Sequence, residues 1–534
     1  MHKYTILLVL IFLLGLFLRT HNLKDNIFFG YDQARDAQRI REILVRHDFK
    51  LVGPETDIPG VFNGPLLYYL LLPVYGFSNF NPNWAAVFLI FLNLSGIFLI
   101  YILADKLFGS KTGLLAAFIW AISYEQANYA KYISNASLMP LATLIFFLGC
   151  ALFFLKNDRK GLVISIIGLG LSIQFNFYLI YLAGLYAVFY YVFSPKITKR
   201  DIALNLVIFL FFLSPFLLSE FLWGWPATKA LAAYFREQSV PKGIIDNLSA
   251  YIQSLSTSFY NILFSFNSFI FFILLTCLLI YNHRICRNKK QLNFLYIWLL
   301  STLPLFGFNS GVVNGPTINS SISGAIIIIY SLALANLLHK KTLPVFIVLF
   351  LLVILSNLNL YRQDDFANNK LLGYQNIIFS DEKNLVDYTY RSAGNKPFSI
   401  CALTNPLFIN TLWSFLYKTY GENKFHYLPY WSGQAQYLNI NYLPYDRSHV
   451  ATRFLIVEPL YGMRDFTLKN LIYAEDKIST IKETKKFGGI MVQKRELEPD
   501  KSKLIDSQQV PPEEAIRIES TLKTDPRYSC YNNY

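Results

Sequence analysis

An α-helical polytopic membrane protein with one water-soluble domain after its last span is the fold class the sequence predicts. Three observations predict it. The 534 residues are 54% hydrophobic and only 15% charged, where an ordinary soluble domain carries about 25% charged residues. The deficit is confined to residues 1–360, which are built of long apolar runs, while about a quarter of the residues after 361 are charged. Basic residues cluster between the apolar runs, at Lys156/Arg159/Lys160, Lys196/Lys199/Arg200, Arg284/Arg287/Lys289/Lys290 and Lys340/Lys341. That is the pattern of cytoplasmic membrane loops, where Lys and Arg set orientation. The net charge of +14 is therefore read as a membrane signal and not as a nucleic-acid footprint. The composition changes near Leu360 to Asp364. This divides the chain into a transmembrane domain, 1–360, and a soluble domain, 361–534.

About eleven spans are expected, at 4–18, 84–104, 112–124, 137–155, 161–174, 176–193, 202–219, 258–281, 291–307, 322–338 and 342–359. Several are shorter than the roughly 20 residues of an upright span, which tilt and local thinning accommodate. Lys3 followed by the apolar Thr5–Leu18 has the look of a signal peptide, but Arg19 follows with no small-x-small cleavage site, which favours an uncleaved anchor. With the N-terminus in the cytoplasm, the inside loops are 105–111, 156–160, 194–201, 282–290 and 339–341, and each is basic. The short outside loops, 125–136 and 308–321, hold Lys131 as their one Lys or Arg. Eleven spans place the C-terminal domain outside the cell membrane.

Three outside segments are long: 19–83, 220–257 and the C-terminal domain. The first holds the densest charge, in FFGYDQARDAQRIREILVRHDF, residues 28–49. Asp32, Arg35, Asp36 and Arg39 recur at helical spacing and share one face; Ala37, Ile40 and Leu44 form an apolar stripe on another. The pattern predicts an amphipathic helix lying in the headgroup layer; a solvated surface helix with internal Asp–Arg pairs is the ordinary alternative. The segment 53–73 follows, its Gly and Pro residues predicting a shaped loop and Leu66–Pro73 a re-entrant or interfacial piece.

Here the chain resembles the GT-C glycosyltransferases, family 39 and its relatives, which include protein O-mannosyltransferases and lipid A aminoarabinose transferases. The matching stretches are Tyr31-Asp32-Gln33-Ala34-Arg35-Asp36-Ala37, Asn63-Gly64-Pro65-Leu66-Leu67-Tyr68-Tyr69, the run 107–117 (LFGSKTGLLAA) and the run 129–137 (YAKYISNAS). Residues 1–220 carry the resemblance; 220–360 match as a hydrophobic pattern, and the C-terminal domain matches through segments such as 487–495 (FGGIMVQKR). The resemblance implies the GT-C fold. It also implies transfer of a sugar from a polyprenyl-phosphate donor to a lipid, glycan or protein acceptor on the extracytoplasmic face, usually with inversion. It makes an acidic residue of the first outside loop essential, and Asp32 stands at that position. Relatives often pair two acids there; this chain has Asp32-Gln33, which puts metal dependence in doubt and offers Asp36, one turn on, as the second carboxylate. A divalent metal ion held by Asp32 and Asp36 is the one cofactor the resemblance suggests.

The physical reading runs beside it. A polyprenyl donor keeps its tail in the bilayer, so the catalytic group belongs at the membrane surface. Asp32 there takes the acceptor hydroxyl's proton as general base; neighbouring anions or lipid raise a carboxylate pKa toward neutrality and help it do so. Charge growing on the leaving phosphate needs cations. Arg35, Lys131 and Arg236 are the candidates in that order, arginine for its bidentate fork. Lys131 has an ordinary alternative as a snorkelling surface lysine. Gln174 and Asn176, near the outside ends of their spans, are candidate sugar contacts or plain inter-helix hydrogen bonders. Glu55 and Asp57 are candidates for acceptor or metal, beside the ordinary role of acids next to Pro and Gly in turns. Asn63 and Tyr68 enter through the family pattern.

Other signals are weaker. Five cysteines include no CxxC, and the seven histidines show no HxxxH spacing. Cys401 and Cys530 in the soluble domain read equally as a disulfide or as two free thiols. Residues 427–445, YLPYWSGQAQYLNINYLPY, suit sugar stacking or a packed core. Short β-rich runs at 398–403, 453–457, 489–493 and 515–519, with helical patterns at 376–391 and 405–419, predict an α/β or α+β domain. The lack of a Gly-rich nucleotide loop suits a lipid-linked donor. A transporter or flippase for a lipid-linked glycan is the alternative function, and a glycan-binding scaffold a third. Transporters place ionisable residues near mid-membrane, whereas here the expected spans are nearly free of them and the acids gather in an outside loop.

Overall fold

The computed structural model describes residues 2–25, 27–237, 243–264, 268–307, 316–363, 377–405, 409–433, 442–446, 450–459 and 465–498. The chain divides into two compact units. The first comprises Met1–Leu23, Lys50–Leu70 and Ala85–Asp364; the second comprises Lys24–Phe49, Leu71–Trp84 and Asp365–Tyr534.

The first unit is helical. Among the described residues four helices are long and apolar enough to cross a membrane: Pro82–Phe108, Asn135–Leu155, Lys199–Leu222 and Leu343–Arg362. Shorter apolar helices accompany them, Tyr4–Thr20, Ser110–Ile122, Phe177–Phe193, Ile273–Ile285 and Ser320–Asn336 among them. Helix Lys199–Leu222 leaves Leu206, Val207, Phe211 and Phe221 exposed, an outward apolar surface on a helix long enough to span a bilayer. Asn135–Leu155 is instead largely buried. Phe147 stacks on Trp298 with ring centroids 3.8 Å apart, and Phe189 on Phe294 at 4.8 Å. Gly149 and Gly168 let helices Met139–Cys150 and Arg159–Phe175 approach backbone to backbone; a Cβ at either would collide with the other helix at Ser165 or Phe146.

The wholly buried Arg19 closes helix His2–Thr20. Its guanidinium donates to Asn93 Oδ1 (3.0 Å) and to the carbonyls of Gly15 (3.1 Å), Ala121 (2.8 Å) and Trp120 (3.2 Å). One side chain thus ties three helices and caps the end of Ser110–Ile122. The expected span 258–281 straddles two helices, Ile244–Ile262 and Ser268–Ile285. Average hydropathy hid the break, because the residues around it include Leu263, Phe264 and Phe266. The expected piece Leu66–Pro73 is the start of helix Leu66–Ser78, which continues through Pro73.

The second unit is built on a five-stranded sheet. Its strands are β1 (Ser399–Leu403), β2 (Tyr430–Trp431), β3 (Thr452–Val457), β4 (Ser479–Phe487) and β5 (Ile490–Leu497), in the order β2-β1-β3-β5-β4. β1 runs parallel to β2 and β3, and β5 runs antiparallel to β3 and β4. The apolar run FLIV of β3 is buried on both faces, as a central strand requires. Gly488, at φ +55°, turns β4 into β5. β4 is one edge and carries Lys482, Lys485 and Lys486 outward, which discourages pairing with another chain. Tyr390 stacks on Phe425 at 4.2 Å and meets Phe398 edge-on at 5.1 Å.

The expected β runs at 398–403, 453–457 and 489–493 fall on β1, β3 and β5; the run at 515–519 lies outside the described residues. The expected helices become Phe379–Ser392 and Thr411–Leu416, the latter running on through a π turn, Tyr417–Gly421. In the aromatic segment 427–445, Trp431 is fully buried in β2; 434–441 lie outside the described residues. Cys401 is buried beside Leu403, Leu455 and Val457, and Cys530 lies outside the described residues.

One expectation is corrected. Helix Tyr31–Arg46 forms, and of the expected stripe Ala37 and Ile40 are buried and Leu44 half-buried, but the buried face does not meet lipid headgroups. Ala34, Ala37, Ile40 and Ile43 are buried in the second unit, where the helix packs on Thr411–Leu416. An amphipathic pattern specifies an apolar partner without naming it, and here the partner is protein.

Candidate active site

In the second unit the site starts with Gly30, whose extended backbone caps helix Tyr31–Arg46. Gln33 bends back and accepts from the Gly30 N–H at 3.1 Å, one arm of a capping box that glycine has no side chain to complete. Gln33 is thereby buried. Asp32 sits in the first turn, where the helix dipole favours a carboxylate, and its side chain is 57% exposed. Arg35 joins the two acids: Nη1 donates to Asp32 Oδ1 at 2.8 Å, while Nε and Nη2 donate to Asp36 Oδ1 at 3.0 and 2.9 Å. Asp36 itself is buried. The Arg35 guanidinium also lies over the Tyr31 ring at 5.5 Å. Burial raises the Tyr31 phenol pKa and the Arg35 charge opposes that rise. Burial likewise holds the Tyr75 phenol above its ordinary range, with the Asp36 charge adding to the effect.

In the first unit the loop 53–64 folds on itself. Gly53 N–H donates to Asn63 O (2.8 Å), Asn63 N–H to Pro54 O (2.9 Å) and Thr56 N–H to Val61 O (2.7 Å). Glu55 Oε1 accepts from the Gly60 N–H at 2.6 Å, the turn role open to an acid beside Pro and Gly. Asp57 is exposed. Asn63 Oδ1 accepts from the Phe177 N–H (3.0 Å), Gly64 N–H donates to Gln174 O (2.9 Å), and Gln174 Nε2 donates to Phe212 O (2.6 Å). Asn176 accepts from the Tyr178 N–H at 2.9 Å. Asn63, Gln174 and Asn176 are thus brought together as a hydrogen-bonded seam that fixes the loop on the end of helix Arg159–Phe175. Tyr68 is buried. Lys131 ends helix Tyr124–Lys131 and is buried, not snorkelling at a surface. Arg236 is exposed on helix Pro226–Glu237.

A family model described as dolichyl-phosphate-mannose-protein mannosyltransferase matches residues 63–219. The structure of ArnT from Cupriavidus metallidurans bound to undecaprenyl phosphate superposes with a TM-score of 0.58 at 13% identity, covering 91% of this chain and 97% of that one. The apo state of the same protein gives 0.57 at 13% identity with the same coverage. The chain shares the fold of that protein. The Archaeoglobus fulgidus oligosaccharyltransferase in its apo form is also similar, at 12% identity and a TM-score of 0.49 over 80% of this chain; the chain spans 64% of that protein's length. A search of the curated proteins finds no match. The matched family stretch opens at Asn63, so helix Tyr31–Arg46 lies before it.

The suggested metal finds no ready set of ligands among the described residues. Arg35 takes one oxygen of each of Asp32 and Asp36. Glu55 is engaged in its turn. Among the described residues no group of three or more His, Cys, Asp or Glu side chains is placed to hold an ion.

Sequence reasoning passed over Glu125. It is 2% exposed and accepts from Ser323 Oγ (2.5 Å) and Gln126 Nε2 (3.1 Å). Its helix does have a sequence signal: Ser123 and Gln126 form an S-x-x-Q start, and Ser123 Oγ accepts from the Gln126 N–H at 3.4 Å. Nothing local announces the burial, because the partner Ser323 lies 198 residues on.

Proposed function

We propose that this protein is a membrane glycosyltransferase of the GT-C type. It moves a hexosyl or pentosyl unit from a polyprenyl-phosphate-linked sugar to a lipid, glycan or protein acceptor on the extracytoplasmic face, with inversion. The observation that carries the reading is the exposed Asp32 carboxylate, held by Arg35 at the start of the helix that follows the first apolar helix. The family match and the shared fold support it. ArnT was solved with undecaprenyl phosphate, a lipid-linked phosphate of the class proposed here for the donor. Eleven spans, a cytoplasmic N-terminus and an extracytoplasmic C-terminal domain complete the reading, on the strength of the basic inside loops.

Asp32 takes the proton of the acceptor hydroxyl as that oxygen bonds to the anomeric carbon. The bond from the anomeric carbon to the phosphate oxygen breaks, and its electron pair leaves with the polyprenyl phosphate. Arg35 meets the growing charge. Its fork already spans two carboxylates, a geometry that phosphate oxygens satisfy equally. By residue type Lys131 and Arg236 are further candidate cations, and Asn63, Tyr68, Gln174 and Asn176 candidate substrate contacts.

The test uses membranes expressing the wild type or Asp32→Asn, supplied with labelled polyprenyl-phosphate sugars. Transfer is expected to fall by about a hundredfold or more, the scale of a lost general base. Equal transfer by both removes Asp32 from its role. Thiol labelling that found position 32 in the cytosol would end the reading.

A further inference from the structure

A cavity of about 400 Å³ opens within the second unit, between the Ser78–Pro82 turn and the helices Phe379–Ser392 and Thr411–Leu416. Its volume falls in the range of small-molecule sites. The lining mixes aromatic rings with amides and amines: Phe80, Phe379 and Tyr420 beside Asn79, Lys383 and Lys424.

The two lysines differ. Lys424 is neutralised, with Nζ 2.8 and 2.7 Å from the two Asp387 carboxylate oxygens and 2.9 Å from Tyr420 Oη. Lys383 is held by rings, its Nζ 4.9 Å from the Tyr420 centroid and 5.6 Å from that of Phe379. No carboxylate pairs with it among the described residues. An ammonium positioned by two ring faces and left without an anion is a receptor for one. The wall opposite is strained. Asn79 and Phe80 both lie in the left-handed region, at φ +51° and +59°. For a phenylalanine that backbone is costly and marks a conformation the surroundings enforce. It sets the Phe80 ring on Tyr75 at 5.6 Å and edge-on to Phe415 at 6.4 Å.

We propose that this cavity binds an acidic saccharide, the sugar's apolar face against the aromatic wall and its anionic group on Lys383. Ring faces accept the C–H side of a pyranose, Asn79 offers an amide to hydroxyls, and the unpaired ammonium selects for charge. The inference rests on the cavity alone and does not depend on the transferase reading.

Calorimetry on the purified full chain in detergent, titrated with cellobiouronic acid, cellobiose or inorganic phosphate, tests it. Cellobiouronic acid, which differs from cellobiose by one carboxylate, is expected to bind about tenfold more tightly, the worth of one charge-assisted hydrogen bond. Lys383→Gln should bring the two disaccharides within about twofold, at unchanged cellobiose affinity. Lys383→Arg should keep the preference, and Tyr420→Leu should weaken both sugars. Asp32→Asn should leave both affinities as they are, which separates failure here from failure of the transfer mechanism. Equal binding of the two disaccharides, a preference that survives Lys383→Gln, phosphate bound as tightly as the acidic sugar, or no binding by either sugar would each overturn the proposal.

Discussion

Two charged helices, Tyr31–Arg46 and Tyr124–Lys131, solvate their carboxylates in opposite ways. On the first, Asp32 is 57% exposed and shares one guanidinium with Asp36. On the second, every residue is buried, and Glu125 receives hydrogen bonds from Ser323 and Gln126. An exposed acid beside an arginine can trade that partner for a substrate at small cost, since a surface pair is worth about 0–1 kcal/mol. A buried acid has no such freedom, because losing its partners leaves polar groups unmet in a low dielectric. Exposure, more than residue type, separates the acid suited to chemistry from the acid that holds helices together.

The largest effect expected from this contrast is on activity. Asp32→Asn should cut sugar transfer by about a hundredfold or more while thermal unfolding of the purified chain moves by no more than about 1 kcal/mol, since Arg35 keeps Asp36. A variant that lost stability in proportion to transfer would show that Asp32 is a structural acid like Glu125, and the contrast would be gone.

A second buried acid sharpens the contrast through pH. Glu458 accepts from the Asn405 N–H and Trp413 Nε1, both at 2.8 Å, and burial pushes its pKa up from 4.5 to about 7. Glu382, fully buried, is raised as well, first by burial and then by the Glu458 charge. A carboxylate that holds its proton more tightly when folded stabilises the fold fully below its unfolded pKa. That contribution is lost as pH rises through the folded pKa. Stability should therefore fall between about pH 4.5 and 7, by about 3 kcal/mol for the Glu458 rise. Glu458→Gln should flatten this stretch of the curve, read as melting temperature against pH. An unchanged slope would mean that Glu458 stays ionised where it is buried.

The same reasoning says what was legible in the sequence. Apolar runs located the long apolar helices of the first unit, whereas Tyr124–Lys131 and Pro226–Glu237 fall in stretches expected to be loops. The face shared by Asp32, Arg35 and Asp36 followed from spacing alone, and β1, β3 and β5 from their β-rich runs. What stayed hidden was set at long range. The apolar stripe of Tyr31–Arg46 finds its cover on Thr411–Leu416, and Glu125 its partner on Ser323. The break near Leu263 was masked by apolar neighbours, and Trp431, in a segment suited equally to sugar stacking and to a core, became core. Spacing reports which side chains share a face; it does not report what covers that face.

Glu125→Ala should cost about 2 kcal/mol, because Ser323 Oγ–H and the Gln126 amide lose their acceptor while buried. Glu125→Gln should recover most of that, since the amide oxygen still accepts. A Gln variant that folded like the wild type yet transferred no sugar would move Glu125 from the structural side of the comparison to the chemical one.

The smallest effect belongs to a pair half-exposed on both sides. Lys418 Nζ lies 2.6 Å from Glu422 Oε2, with the two side chains 25% and 35% exposed. The pair is spaced i,i+4 with the lysine first, the weaker order for a helix. Water screens it and two long side chains lose freedom in forming it, so Lys418→Gln should shift stability by only about 0.3 kcal/mol. About 1 M salt, with a screening length of about 3 Å, should erase even that difference in a melting experiment. A loss as large as that of Glu125→Ala would mean that exposure does not govern what a charge contributes in this protein, and the distinction between the two helices would lose its physical basis.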